Sequence, residues 1–517
     1  MPVNRRKQAS NMPDIESPFS DFLDTNLGRL PSLQEAKVIR ELVQEKTAHL
    51  ALLNSRVPRR KSGKKTPPKL LAELNVTRRF IKFHRALVAP WRCLPAEILS
   101  EIFALSLFSD PIDPETTWND DRSGTLLVCK ICRHWRHIAI STPSLWTILS
   151  ISLAVSPSRG PLDWVPLWLD RSRSLAIHVQ VEWDGSTPAS DLNLIASSVV
   201  SHIHHIRTLV IDGLDYLNVS SGPIYPRITL PPPQSIEAPF LTTLDASLPP
   251  GSDYEWVLAV CQAAPLLTSL DTTQLFLHRM PVSQLTRLHV EETVPINEFL
   301  HLLKDAPGLQ DVALDLGEPS AGDAIGDIIV AEGLSKLEVT SHHHLGLFFD
   351  RVRLPGLTEI EITQIDRWPQ ENFIAFLSRS SCTLKRLAFA EIDIHELHVL
   401  FCLFHKSCET LENLAISHCG PYLRNDAVIQ YLTYRQAPFP HTRLQTIELV
   451  PLNARDGLLA NLAESRILPL PDLPSDVAEP GHLVRLHLSW NMAYFNPDDF
   501  RRIRDLETKC EIEWMAD

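Results

Sequence analysis

The sequence has little glycine and no excess of basic charge, and each shortage excludes a class of protein. It contains 18 glycines against 40 prolines in 517 residues. This balance fits many short elements separated by proline-terminated loops, and it does not fit a glycine-rich phosphate-binding loop. The formal net charge is -13, so the chain lacks the basic surface on which general nucleic-acid binding depends. We therefore expect no nucleic-acid partner.

Long apolar runs and a secretory leader are also missing. No run approaches the roughly 18 apolar residues of a membrane span. The opening stretch MPVNRRKQASNMPD is charged and has no apolar core of the signal-peptide type. The 9 cysteines are scattered and odd in number, which favours free thiols in a reducing compartment. These features predict a cytoplasmic or nuclear protein without a membrane partner.

The N-terminal part of the chain changes from irregular to helical near residue 31. Residues 1–30 show no periodicity and are predicted to be mostly disordered. Two segments of residues 31–90 then carry apolar residues at alternating steps of three and four, which is the spacing of a coiled-coil-like seam. The loop between them is about ten residues long, which favours an antiparallel hairpin over a dimeric coiled coil. The two seams are Ile39, Val43, Lys46, Leu50, Leu53 and Val57, then Leu70, Leu74, Thr77, Ile81, His84 and Val88.

The loop between these segments is strongly basic. Within PRRKSGKKTPPK it carries six cations, from Arg59 to Lys69. One interpretation is a nuclear-import signal, because import receptors bind basic clusters of this length. The other is a solvated loop that joins two helices. The sequence leaves both open.

Residues 91–150 predict a small all-α domain with surplus apolar surface. Pro95 lies where the first turn of a helix tolerates proline, and apolar residues then nearly encircle the helix that contains Ile98, Ile102 and Phe103. An acidic, irregular insert at 109–124 precedes a second predicted helix, with Val128 and Trp135 on its apolar face. A domain of so few short helices buries little apolar surface by itself. We therefore expect this domain to need a partner.

The stretch VCKICRHW, residues 128–135, raises the question of a metal site. It contains Cys129 and Cys132, with His134 and His137 close behind. All four are predicted to lie on one helix, where their side chains point in different directions and cannot form a tetrahedron. No second CxxC motif completes a site. We expect no metal or other cofactor here, and a packing role for at least one of the two cysteines.

Neither the other histidine runs nor a search for the usual catalytic motifs indicates an enzyme. The run HHH at 342–344 is predicted to be a polar turn, and in HIHH at 202–205 a strand would place His202 and His204 on one face. No G-x-S-x-G elbow occurs. We therefore predict a non-catalytic protein.

Residues 151–517 are repetitive. One phrase, with apolar residues at offsets 0, 3 and 5, recurs at intervals of about 18 to 39 residues, which is around the range of leucine-rich repeats. Each phrase predicts one short strand, with amphipathic helical pieces such as INEFLHLLKDA and ENFIAFLSRSS between phrases. Two copies end in the Cys or Asn of the full pattern, Cys419 and Asn491. The eleven phrases begin at Ile206, Leu241, Leu267, Leu285, Leu309, Leu334, Leu357, Leu384, Leu411, Leu444 and Leu483.

The segments LPAEILSEIF and LLVCKICRHWRHIAISTPSLW together resemble the F-box family. The family pattern opens with Leu-Pro-x-Glu before an apolar helix and closes near a Val-Cys-x-x-Trp motif. The form that includes TPSLW is similar to F-box proteins of mushroom-forming fungi, in which a helical hairpin precedes the box and degenerate leucine-rich repeats follow. The residues that match are Leu94, Pro95, Glu97, Ile98, Ile102, Phe103, Val128, Cys132 and Trp135, with Cys129 as the alternative match for the family cysteine.

This resemblance implies an overall architecture and a function. The architecture is an α/β solenoid with an added α+β character: a hairpin at 31–90, an all-α F-box domain at 91–150 and a leucine-rich-repeat-like domain at 151–517. The implied function is a substrate adaptor of a ubiquitin ligase. In this function the nine matching residues bind a Skp-type linker protein, the linker brings a cullin, and the repeats bind a protein substrate. The alternative is a leucine-rich-repeat scaffold, or a transcription-associated protein, that acts without ubiquitin.

Overall fold

The chain divides into two compact units in the computed structural model. The helical unit comprises Met1–Ile151 with Pro166–Leu175, and the repeat unit comprises Ser152–Val165 with Ala176–Asp517. The domain boundaries expected after residues 30, 90 and 150 stay predictions. The structure describes residues 17–19, 31–57, 66–107, 124–153, 162, 164–183, 187–213, 236–247, 254–274, 279–320, 326–363, 367–419, 425–434, 440–450, 454–468, 483–489 and 496–515.

Two long helices, α1 (Leu33–Ser55) and α2 (Pro68–Leu87), form the first part of the helical unit. A capping box begins α1: the Ser32 hydroxyl accepts from the Glu35 amide at 3.2 Å, and the Glu35 carboxylate accepts from the Ser32 amide at 2.7 Å. This arrangement satisfies two N–H groups that a helix start otherwise leaves unpaired. Proline at the first position of α2 costs nothing, because that N–H has no intrahelical partner.

The two helices pack against each other in antiparallel orientation within one chain. Nε2 of His49 lies 3.3 Å from Oε1 of Glu73, and Nζ of Lys46 lies 5.9 Å from the centre of the Phe80 ring. As the position on α1 decreases, the partner position on α2 increases, which defines a hairpin. The basic loop predicted between the helices lies outside the described residues, apart from Lys69 and its neighbours.

Shorter helices complete the helical unit. A buried cluster holds them together, with Trp146 fully buried and Leu99, Phe103 and Ile138 around it. The elements are α3 (Ala96–Leu107), α4 (Gly124–Ile131), α5 (Arg133–Ser141), strand β1 (Ile148–Ser152) and α6 (Trp164–Ser172), with 3-10 turns at Pro90–Cys93 and Pro143–Trp146. The acidic insert predicted at 109–124 lies outside the described residues except for Gly124.

The repeat unit is an α/β structure built on one large parallel sheet, in the manner of a leucine-rich-repeat solenoid. The strand order follows the chain, β2-β3-β4-β5-β6-β7-β9-β11-β12-β13-β14-β15-β16, and a small parallel pair, β8 and β10, lies apart. The strands are β2 (Ile177–Trp183), β3 (Ile206–Gly213), β4 (Thr243–Ser247), β5 (Ser269–Thr272), β6 (Arg287–Pro295), β7 (Asp311–Gly317), β8 (Ile329–Val330), β9 (Lys336–Thr340), β10 (Val352–Arg353), β11 (Glu359–Thr363), β12 (Arg386–Ala390), β13 (Asn413–Ser417), β14 (Thr446–Val450), β15 (Arg485–Ser489) and β16 (Glu511–Met515).

Every one of the eleven predicted phrases forms a strand of this sheet, from β3 to β7 and then β9 and β11 to β15. The three apolar positions of the phrase point inward. In the copy that forms β11, Leu357, Ile360 and Ile362 are each at most 1% exposed. Alternation along a strand buries positions 3 and 5, and the leucine at position 0 fills the preceding turn. Cys419 follows β13 as predicted, with its thiol 3.6 Å from the carbonyl oxygen of Phe389 on the neighbouring strand.

Helices return the chain from one strand to the next, and their aromatic side chains fill the space behind the sheet. Phe349 contacts both Phe373 and Phe376, with ring centres 5.1 and 5.4 Å apart, and all three are fully buried. Such edge-on and tilted contacts join successive repeats into one core. The helices are α7 (Ala189–His202), α8 (Glu255–Ala263), α9 (Ile296–Asp305), α10 (Gly346–Arg351), α11 (Gln370–Ser380), α12 (Glu396–Leu403), α13 (Asp426–Leu432), α14 (Leu458–Ile467) and α15 (Pro497–Arg504).

Candidate functional site

Helices α3 and α4 carry large apolar side chains on both the buried and the solvent side. The buried side of α3 presents Leu99 and Phe103 to the core of the helical unit. A folded domain seldom leaves several neighbouring apolar residues in water unless another molecule covers them. The solvent side therefore marks a candidate protein-binding surface, which we call the apolar surface. Its members are Ile98, Ile102 and Leu105 of α3 with Leu126, Leu127 and Ile131 of α4, between 36% and 67% exposed.

Four of the nine residues that match the F-box pattern are exposed. Pro95 and Glu97 begin α3, and Ile98 and Ile102 follow one turn apart on its solvent side. The carbonyl oxygen of Pro95 accepts from the amide of Leu99 at 3.1 Å, so the proline lies at the N-cap, one residue before the first turn in which the sequence placed it. These four side chains are free to contact another protein.

The other matching residues lie inward. Phe103 is 1% exposed and Val128 is 6% exposed, within the core of the helical unit. Leu94 and Trp135 are half-buried and pack against that core. A direct contact between a partner and the Phe103 or Val128 side chain does not fit this burial, so their contribution is to support the surface rather than to form it.

The remaining apolar residues of the surface were not among the nine candidates. Leu105, Leu126, Leu127 and Ile131 fall outside the positions of the F-box pattern that the sequence matches, yet all are exposed. For Leu105 the signal was the near-complete ring of apolar residues around the first predicted helix, and for Leu127 and Ile131 it was the apolar face of the second.

The stretch VCKICRHW does not form the single helix that the sequence predicts. Helix α4 ends at Ile131, α5 begins at Arg133, and Cys132 lies between them in extended conformation. Its thiol caps α5 by accepting from the amide of Trp135 at 3.4 Å. The prediction of one helix for this stretch is therefore wrong. Cys132 caps the start of α5 instead of continuing α4.

The two cysteines consequently have different environments. Cys129 is buried with Val128 and Ile138, and burial raises the pKa of its thiol. A protonated, buried thiol is a small apolar side chain and a poor metal ligand. The packing role expected for one cysteine therefore belongs to Cys129. Within the described ranges, no three His, Cys, Asp or Glu side chains come together as a ligand set.

The histidine runs have different outcomes. His202 ends α7 and His204 lies in a 3-10 turn, so the predicted shared strand face is wrong. The run at 342–344 follows β9 as a polar turn, as predicted, and Nδ1 of His344 accepts from the amide of Gly346 at 3.1 Å. Neither run brings three possible metal ligands together in the described part of the chain.

The solvent face of the large sheet carries a second notable feature, an acidic row. Parallel pairing in register aligns the middle residue of each strand across the sheet. Within the described strands from β4 to β16 this line contains no lysine or arginine. Two of its carboxylates pair with histidines, Asp271 with His289 at 2.7 Å and Glu513 with His487 at 3.2 Å. The acidic row comprises Asp245, Asp271, Glu338, Glu361, Glu448 and Glu513.

Like charges crowd one end of the acidic row. Burial raises the pKa of Asp245 to about 7, and the neighbouring Asp271, Asp212 and Glu291 add to the shift, while the Ser247 hydroxyl opposes it. Carboxylates this close destabilise one another when all are ionised. A cation supplied from outside would relieve that repulsion.

We expect Asp245→Asn to stabilise the repeat unit at high pH only. The folded chain holds the Asp245 proton up to about pH 7, whereas an unfolded aspartate loses it near pH 4, so the parent chain loses stability as pH rises between those values. At pH 8 the variant should be more stable by about 1–2 kcal/mol, a discounted value because water reaches part of the side chain. Urea denaturation at pH 4.5 and 8 measures this.

Glu332→Gln, at an exposed loop position, is the matched control and should show no such dependence. An equal gain for Asp245→Asn at both pH values would contradict the expected crowding of charge.

No protein-family model matches the chain, and no curated protein does. One solved structure that resembles it is the crystal structure of the Rad7 and Elc1 complex in yeast, with 12% sequence identity and a TM-score of 0.37 over 76% of this chain and 96% of that one. Similarity at this level assigns no function. In the part of the chain that the structure describes, no helix is long and apolar enough to span a membrane.

Proposed function

We propose that the protein is a non-catalytic, substrate-recognition adaptor of a ubiquitin ligase. In this function the F-box segment binds a Skp-type linker protein, the linker brings a cullin, and the repeat unit binds a protein substrate. The observation that carries the proposal is the apolar surface of α3 and α4, which includes Ile98 and Ile102 of the LPAEILSEIF motif, both more than 40% exposed.

The composition of this surface suits a lasting protein interface. Specific interfaces have an apolar centre and a polar rim. Here Ile98, Ile102 and Leu105 supply the centre, and the exposed carboxylates of Glu97 and Glu101 lie beside them on α3. Because Leu99 and Phe103 fix the helix from behind, the surface is already ordered, and a preformed surface loses less entropy on binding.

The solvent face of the large sheet is the proposed substrate-binding face. Its acidic row favours a protein ligand with a basic patch, because complementary charge speeds encounter and selects partners. The sheet spans many repeats, so it offers the broad surface that solenoids use for binding. The compartment proposed for this function is the cytoplasm, the nucleus or both.

Reconstitution with purified proteins tests the proposal. The full chain, mixed with a Skp-type linker and a cullin, should elute with both as one complex. In cells, proteins captured by the chain should accumulate when the proteasome is inhibited. Failure to bind the linker would overturn the adaptor function. Linker binding without ubiquitin-dependent turnover of any captured protein would favour the scaffold alternative.

A further inference from the structure

Three residues near the N-terminus, Ser17 to Phe19, are ordered on the helical hairpin. Phe19 is only 8% exposed and packs against Ile39 of α1 and Leu87 of α2. Residues 1–30 are predicted to be mostly disordered, and these three are the part of them that the structure describes. Their position is held by an apolar anchor, Phe19, and by a hydrogen bond two residues before it.

That hydrogen bond joins Ser17 to a fully buried histidine of α2. Oγ of Ser17 lies 2.7 Å from Nε2 of His84. Nδ1 of His84 lies 2.8 Å from the carbonyl oxygen of Phe80, so Nδ1 carries the proton that donates to it. In the neutral ring Nε2 is then an acceptor, and the Ser17 hydroxyl donates to it. The same hydroxyl accepts from the amide of Phe19 at 3.1 Å.

Aromatic rings surround the imidazole of His84. The Phe80 ring stacks on His84 with centres 3.8 Å apart, and the rings of Phe83 and Phe19 meet it edge-on at 5.0 and 6.3 Å. Burial lowers the pKa of His84. The half-buried Ser17 therefore covers a buried aromatic cluster, and its single hydroxyl proton completes the pairing of the buried imidazole.

Pro18 makes Ser17 part of a Ser-Pro dipeptide, the sequence that proline-directed protein kinases recognise. Apart from it, the chain contains one more Ser-Pro dipeptide, at Ser156. We propose that Ser17 is a phosphorylation site and that its phosphorylation releases residues 17–19 from the hairpin. Transfer of the γ-phosphoryl group of ATP forms the Oγ–P bond, breaks the β–γ anhydride bond, releases ADP and passes the hydroxyl proton to solvent.

Two physical effects make the modified residue incompatible with this site. The ester oxygen of phosphoserine has no proton, so it cannot donate to Nε2 of His84, which is then left unpaired and buried. The phosphate carries a charge of about −1.5 to −2 at neutral pH, and because Oγ of Ser17 lies 2.7 Å from Nε2 of the buried His84, keeping this contact would hold that charge against a buried aromatic cluster. Removing even part of the water around that charge costs free energy, and release of residues 17–19 restores its hydration.

Chymotrypsin provides the readout, because it cleaves after Phe19 and that bond is protected while Phe19 is buried. The full chain would be prepared with phosphoserine installed at position 17, and release of fragment 1–19 would be followed by mass spectrometry. Synthetic peptides of residues 10–26, with and without the phosphate, correct for its direct effect on the protease. The cleavage rate of each chain is divided by that of the matching peptide. This corrected rate should be at least tenfold higher for the phosphorylated chain than for the unmodified chain.

Phosphoserine at position 156 is the matched control and should leave cleavage after Phe19 unchanged. Unchanged far-ultraviolet circular dichroism would show that the helices persist. In a second arm, a proline-directed kinase should modify Ser17 faster in Phe19→Ala, in which the anchor is lost, than in the parent chain. A corrected cleavage rate that stays the same or falls would overturn the proposal, as would kinase treatment that leaves Ser17 unmodified in both chains.

Discussion

Replacing Ile98 and Ile102 together with aspartate should lower the affinity of the chain for a Skp-type linker by roughly 100-fold or more. Both side chains are nearly half exposed on the solvent side of α3, at 47% and 44%. Apolar residues at the centre of an interface commonly each cost about 2 kcal/mol or more when lost, and a desolvated carboxylate adds to that cost. Titration calorimetry with purified linker measures the change.

The same variant should remain folded, since neither side chain belongs to the buried core. Val76→Asp is the matched control: it places the same charge on an apolar residue of α2 that is 60% exposed. It should bind the linker as the parent chain does. Pro95→Ala combined with Ile98→Asp should abolish co-purification with the linker. Parent-like affinity in both α3 variants would remove the adaptor function from consideration.

Trp146→Ala should destabilise the helical unit by about 3–5 kcal/mol, the usual cost of removing a large aromatic residue from a core. Trp146 is fully buried, and its Nε1–H donates to the carbonyl oxygen of Ala139 at 2.7 Å. Its ring meets Trp168 edge-on, with centres 4.7 Å apart, and the Arg171 guanidinium lies 4.5 Å from the ring centre. The substitution thus removes packing, a hydrogen bond and a cation–π contact together.

Thermal and urea denaturation would report this loss, with the transition of the repeat unit as an internal reference. Trp146→Phe retains most of the packing and removes only the indole hydrogen bond, because the Ala139 carbonyl still accepts from the amide of Thr142 at 3.3 Å, so it should cost less, about 0.5–1.5 kcal/mol. A loss below 1 kcal/mol for Trp146→Ala would show that the cluster around Trp146 is not the core of this unit. Trp146 belongs to the buried core and not to the apolar surface. Trp146→Ala therefore tests the stability of the fold, whereas the Ile98 and Ile102 substitutions test the apolar surface.

The contrast between Phe103 and Ile102 shows where sequence patterns stop. Both are apolar neighbours on α3, and both match the F-box pattern. One is 1% exposed and the other 44%. On a helix with apolar residues nearly all round, periodicity cannot tell the core side from the partner side. The rest of the chain decides it, because Leu145 and Trp146 return from a later segment to cover Phe103.

The break at Cys132 has a similar cause. An unbroken apolar spacing from Leu127 to Ile138 predicts one helix, and no proline or glycine interrupts it. Exchanging one helical turn for a cap at Cys132 lets Ile138 and Ala139 reach the core beside Val128. Helix propensities differ by only fractions of a kcal/mol per residue. The burial of Ile138 and Ala139 in the core therefore outweighs the local preference for one continuous helix.

The sequence by itself determined the repeating strands. Eleven phrases became eleven strands, because burying positions 0, 3 and 5 is a local requirement that each repeat meets in the same way. It missed β2, in which Ile177, Val179 and Val181 align with Ile206, Leu209 and Ile211 but lie at offsets 0, 2 and 4. It also missed β16, in which Lys509 stands where the leucine is expected. Only the tertiary structure decided which sides of α3 and α4 face water, which cysteine is buried and which carboxylates align. Those depend on residues distant in sequence that meet only after folding.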